Sequence, residues 1–206
     1  MQSRLQIASA ALAIAVAASL AATAVSHAAP APPAAVYTAD GKLVFPKDYR
    51  TWVYLTSGMD MAYVEGSASE QHLFDSVFVD PASYTAFQKT GTWPDKTVMV
   101  LEVRKAQGRG SINQRGLFQT DRVGSEVHVK DVARFKSGWA FFPGGPGPTA
   151  ALPQTSQCNV CHEQHAAVDT TFVQFYPTLM PKAQEMKTLS AAYLNEETAA
   201  GRNQQR

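Results

Sequence analysis

Cys158 and Cys161, with His162 directly after, form Cys-Asn-Val-Cys-His, and they are the only cysteines in the chain. Two thiols three residues apart lie on one face of a helical turn. From there they can add to the two vinyl groups along one edge of a porphyrin. A histidine straight after the second thiol then sits beneath the ring, where its neutral imidazole can ligate iron. C-x-x-C-H is the attachment signature of c-type haem. The pattern therefore predicts one covalent haem c, tethered by Cys158 and Cys161, with His162 as the proximal iron ligand. Three other chemistries compete for these residues. A disulfide across i, i+3 closes a very small ring and adds little stability. A thioredoxin-like dithiol needs a βαβ setting that nothing nearby supplies. Zinc could draw on Cys158, Cys161, His162 and His165, but adjacent Cys-His ligands surround a tetrahedral ion poorly, and structural zinc sites take their ligand pairs from separate segments.

The elements that must carry this motif begin with an export signal over residues 1–28. Arg4 supplies a short positive start, an alanine-rich apolar run follows from Leu5 to about Val25, and Ser26-His27-Ala28 places small residues where signal peptidase reads them. The run lacks a stop-transfer flank and ends in Ala-Ala-Pro-Ala-Pro-Pro, which disfavours a retained anchor. Cleavage after Ala28 predicts a periplasmic protein of 178 residues, about one domain. Without Arg4, 17 basic residues balance 17 acidic ones, which argues against a nucleic-acid or anionic-membrane partner.

Residues 29–42 are expected to be a flexible N-terminal segment, proline-rich over 29–36. The haem domain is expected over 43–182, with a C-terminal helix and tail over 183–206. Strands are predicted over 51–56, 72–79, 97–103 and 138–142, with a hairpin of 116–123 and 125–129 turning at Gly124. Residues 57–70, 106–114 and 143–148 read as loops. Asp80-Pro81 starts a helix and Gly91 stops it. From Gln157 the pattern is helical through the motif. Phe172, Phe175 and Tyr176 are spaced to share a face, and one amphipathic helix of roughly 15–18 residues is expected after Pro181, carrying Met186, Leu189, Tyr193 and Leu194. The order predicts an α+β fold: an antiparallel β-sheet domain with flanking helices and a C-terminal helical haem-attachment segment. A late motif behind a sheet fits neither a class I cytochrome c nor a four-helix-bundle cytochrome c′.

The chain resembles the cytochrome P-460 family. The likeness is carried by Phe45-Pro46-Lys47-Asp48-Tyr49-Arg50-Thr51-Trp52-Val53, Val77-Phe78-Val79-Asp80-Pro81-Ala82-Ser83-Tyr84, Lys89-Thr90-Gly91-Thr92-Trp93-Pro94-Asp95, Trp139-Ala140-Phe141-Phe142, and Cys158-Asn159-Val160-Cys161-His162 through Phe172-Val173-Gln174-Phe175-Tyr176-Pro177. The resemblance implies an antiparallel β-rich homodimer with one high-spin, five-coordinate haem per chain and an open distal side. It also implies a lysine bonded to the porphyrin, just before a Glu, in members that oxidise hydroxylamine. Here that position is Leu101, followed by Glu102. Lys96 and Lys105 fall out of register with it. Lacking the lysine, the chain is more similar to cytochrome c′-beta, the relative that binds nitric oxide or carbon monoxide in an apolar pocket.

If Leu101 abuts the haem, Met99 and Val103 share its face as candidate pocket residues. Phe74 and Phe78, alternating on the neighbouring strand, are candidates to wall the same site. His72 is a weaker candidate as sixth ligand or proton donor, and Asp75 weaker still. Met180 as a sixth ligand would make an electron-transfer cytochrome, but a packing role suits it better. Asp169 or a backbone carbonyl is expected to accept the proximal imidazole N–H. Trp93 and Trp139 read as core. The leading expectation is binding of a small gaseous or nitrogenous ligand such as nitric oxide. The alternatives are an oxidoreductase acting on hydroxylamine or nitric oxide, and electron transfer to an unidentified redox partner.

Overall fold

Five strands run as an antiparallel meander: β1 Val53–Met59, β2 Leu73–Val79, β3 Val98–Gln107, β4 Phe118–Lys130 and β5 Trp139–Pro143, paired in that order. Helices α1 Pro81–Thr90, α2 Gln157–His165, α3 Met180–Met186 and α4 Ala191–Gln204 complete an α+β fold. The computed structural model describes residues 35–61 and 71–204. The expected export signal, most of the proline-rich tether and residues 62–70 of the expected loop lie outside the described residues.

The strands form where β-branched and aromatic residues alternate with turn residues. α1 begins as the sequence predicts: Asp80 accepts from the Ser83 amide at 2.8 Å, Pro81 sits at the first helical position, and Gly91 closes the helix at φ 72°. Asp80 also accepts from the Val98 amide at 3.1 Å, so one buried carboxylate ties α1 to β3.

Several expectations need correction. Gly124 is not a turn. It lies inside the continuous strand β4, opposite Val103 and beside a bulge between Val103 and Arg104, the kind of irregularity at which a strand glycine is common. β1 runs on to Met59, into the expected loop. The helix expected after Pro181 is two helices, broken where Lys187 turns left-handed at φ 57°. Phe172 and Tyr176 are buried, but the turn between them is a short 3-10 helix that leaves Phe175 40% exposed. The N-terminal segment is held from Tyr37 onward, through bridges Tyr37 to Leu43 and Leu43 to Thr149.

The sheet buries both faces. One packs Leu55, Val79, Met99 and Trp139 against Phe87, Leu179 and Ala183 from the helical side. The other packs Val98, Val100, Val127, Val129 and Phe142 against Leu43, Tyr49 and Trp52. The helical face is the one that carries the motif.

Candidate functional site

Ser156 caps α2, and Asn159 anchors the first turn by donating from Nδ2 to the Pro153 carbonyl at 2.9 Å. The helix therefore starts just before Cys158 and presents Cys158 and Cys161 one turn apart. Both thiols are free and half-buried. α2 lies against β5 and α4. At its end His165 meets Glu196 of α4 at 3.2 Å, exposed and away from His162's contacts.

The His162 ring packs on Phe172 at 4.1 Å, Phe141 at 4.6 Å and His128 at 5.4 Å between centroids. Its Nδ1 lies 2.7 Å from the Thr170 carbonyl. A carbonyl carries no proton, so Nδ1 must donate, which leaves the Nε2 lone pair unclaimed. Burial pushes the His162 pKa down against the pull of the Thr170 bond, favouring the neutral, metal-ligating form. The accepting group is thus a backbone carbonyl. Asp169 instead receives Lys130 at 3.0 Å.

Strand register places the remaining candidates. Met99 pairs with Val79 and His128, and His128 with Phe141, so these residues share the face on which His162 packs. Two residues along, Val77, Leu101 and Glu126 form the next row, and Asp75, Val103 and Gly124 the row after. Met99 is buried in the helix–sheet core, whereas Leu101, Val77, Val103, Asp75 and Glu126 are all half-buried. Phe74 and Phe78 do not wall this site. They point to the opposite face, where Phe78 packs on Tyr49 and Tyr54. His72 shares their parity and binds Asp60 at the exposed strand end. Met180 packs against the helical core as a space-filler. Lys96 is bound to Asp131, and Lys105 lies opposite Leu73 at the far end of the strand, so neither stands in for Leu101.

Three groups on this face carry no motif. Glu126 faces Leu101 across the strands, and burial, followed by the charge of Asp75, pushes its carboxyl pKa up. Asp75 is pushed up by burial and then by Asp60. His128 is buried beside His162, and its pKa is held well below the usual histidine value by burial and then by His162. The alternation Glu126, His128, Lys130 against Val127, Val129 was the available signal, hidden by reading Gly124 as a turn.

These residues fit a tethered haem. Burial raises both thiol pKa values, most directly followed by Glu126 at Cys158 and Glu196 at Cys161, which is the reverse of an activated redox dithiol. Among the described residues no three His, Cys, Asp or Glu side chains gather as a metal ion would require. What is present is a pair of thiols one turn apart, one imidazole with a free Nε2, and a half-covered face where Val77, Leu101 and Val103 sit beside the carboxyls of Glu126 and Asp75.

A family model described as Cytochrome P460 matches residues 46–173, more than half of the chain. The match takes in β1 through α2 and includes Leu101, Glu126, His128, Cys158, Cys161 and His162. No curated protein matches the chain.

Proposed function

The chain belongs to the cytochrome P460 family, and from that premise we propose that it is a periplasmic mono-haem c cytochrome that binds a small neutral ligand such as nitric oxide. Cys158 and Cys161 would hold the haem covalently and His162 would be its proximal ligand. Bound haem supplies a redox-active iron at which a diatomic molecule can coordinate. The observation that carries the reading is the row Val77–Leu101, continued by Val103, half-buried on the face where His162 packs. These apolar side chains, beside carboxyls whose neutral form burial favours, suit uncharged ligands, because a charged one would lose its hydration without repayment. The motif's chemistry and residues 1–28 support export to the periplasm.

Glu126 and Asp75 favour a second reading, oxidation of hydroxylamine or a related nitrogen compound. A carboxyl whose protonated form is favoured by burial can hold and pass on a proton, as general acid–base catalysis requires.

Optical spectra of the purified holoprotein test both. The first reading expects high-spin ferric haem with an ordinary c-type Soret band, carbon monoxide binding to the ferrous form, and altered binding rates in Leu101→Ala. A low-spin spectrum with a sulfur–iron band would overturn it in favour of electron transfer. Hydroxylamine turnover that collapses in Glu126→Gln would establish the second reading instead.

A further inference from the structure

His128 is enclosed by aromatic rings. It stacks on Phe141 at 3.8 Å and 12°, lies 4.4 Å from Trp139, and meets His162 edge-on at 5.4 Å and 74°. A phenyl ring would fill this cage as well at lower desolvation cost, so the imidazole's hydrogen bond is what sets it apart. That bond joins His128 Nε2 to Thr170 Oγ1 at 3.3 Å. Thr170 is the residue whose carbonyl accepts the His162 Nδ1 proton. Its turn is pinned on both sides: Lys130, two residues along β4 from His128, holds Asp169, and Trp93 donates to Thr171 Oγ1 at 2.7 Å. Asp169 itself sits at φ 53°, a left-handed conformation that needs such support.

We propose that His128 is a positioning residue for the proximal side, fixing through Thr170 the carbonyl that orients and polarises the His162 imidazole. The proposal rests on His162 as the axial ligand. A firmly held acceptor on Nδ1 makes the imidazole a stronger donor through Nε2, and a stronger axial donor strengthens the iron–histidine bond and lowers the reduction potential. Strand β4 therefore sets haem electronics without touching iron.

The test is resonance Raman of the ferrous holoprotein, with the midpoint potential measured alongside. His128→Phe keeps the ring packing and deletes the bond. Thr170→Val deletes only the hydroxyl and leaves the carbonyl. Each is expected to shift the iron–histidine stretch to lower frequency and the potential to more positive values. The double variant is expected to go no further than either single one, because both break the same link. His128→Gln, which can again reach Thr170 Oγ1, is expected to return both readouts toward wild type. If His128→Phe fails to fold, Thr170→Val, at a half-exposed position, carries the test. Wild-type stretch and potential in Thr170→Val, or additive shifts in the double variant, would overturn the proposal. A wild-type ferrous protein with no iron–histidine stretch would overturn the assignment of His162 itself, before any variant is compared.

Discussion

Replacing Leu101 by Lys tests the register on which the pocket reading stands. Leu101 is paired directly with Glu126, and both side chains are half-buried on the face of β3 and β4 that turns toward α2. Directly opposed side chains start about 5 Å apart at Cβ. At that separation, unit charges attract by about 3 kcal/mol at an effective dielectric of 20, falling to about 1 kcal/mol where water fills the gap. An ammonium at position 101 should therefore favour the Glu126 carboxylate by roughly five- to 150-fold, against the burial that pushes its pKa up. The assay is infrared titration of the protonated-carboxyl band, assigned to Glu126 by its loss in Glu126→Gln. The band should disappear at lower pH in Leu101→Lys. Leu101→Met, which conserves volume without charge, should leave the titration in place. An unmoved band in Leu101→Lys would refute the shared row and remove the reason for placing Leu101 beside Glu126.

Asp80→Ala should lose about 2–4 kcal/mol of stability, the sum of a helix cap and a buried Val98 amide left without its acceptor; urea unfolding of the holoprotein with unchanged m-value measures it, and a loss under about 0.5 kcal/mol would show that these bonds add nothing net. The raised carboxyls of Glu126 and Asp75 predict a pH dependence of definite sign. Between the ordinary carboxylate range and their raised folded values, the native state keeps protons that the unfolded chain has released. Stability then falls as pH rises through that window, and below it these groups contribute no slope. Glu126→Gln should gain on wild type across the window, read from urea midpoints at a series of pH values. A difference independent of pH would mean that Glu126 is already ionised in the fold.

What the sequence made legible was local. Asp80, Pro81 and Gly91 announce α1 because capping and left-handed termination are decided within a few residues, and the C-x-x-C-H motif is legible because its chemistry fits inside two helical turns. What it hid was relational. Alternation shows that Phe74 and Phe78 share a face, but not which face of β3 they join, and the register Val77 to Leu101 puts them on the side away from His162. Gly124 reads equally well as a hairpin turn or as the small residue beside a bulge, and choosing the turn concealed Glu126 and His128 on one long strand. The break at Lys187 has neither Gly nor Pro to mark it.

The residue that holds Leu101 in place lies on the other side of the sheet. Glu102 is 3% exposed, bound by the Tyr49 hydroxyl and by the guanidinium groups of Arg50 and Arg104. Burial pushes its pKa up, but the Arg104 and Tyr49 hydrogen bonds and the two positive charges outweigh burial and hold the carboxyl below its usual range. A one-residue slip of β3 would carry this carboxylate onto the face shared by Glu126 and Asp75, and would turn Leu101 toward Tyr49 and Arg50. Arg104, two residues along the same strand, would move with Glu102, so the slip breaks only the bonds from Tyr49 and half-exposed Arg50; stranding the buried Tyr49 hydroxyl alone costs about 1–3 kcal/mol. That penalty falls on the slipped register and spares the native one. The orientation of Leu101 toward the motif is therefore enforced less by its own hydrophobicity, which either face could satisfy, than by the charge of its neighbour, which only one face can.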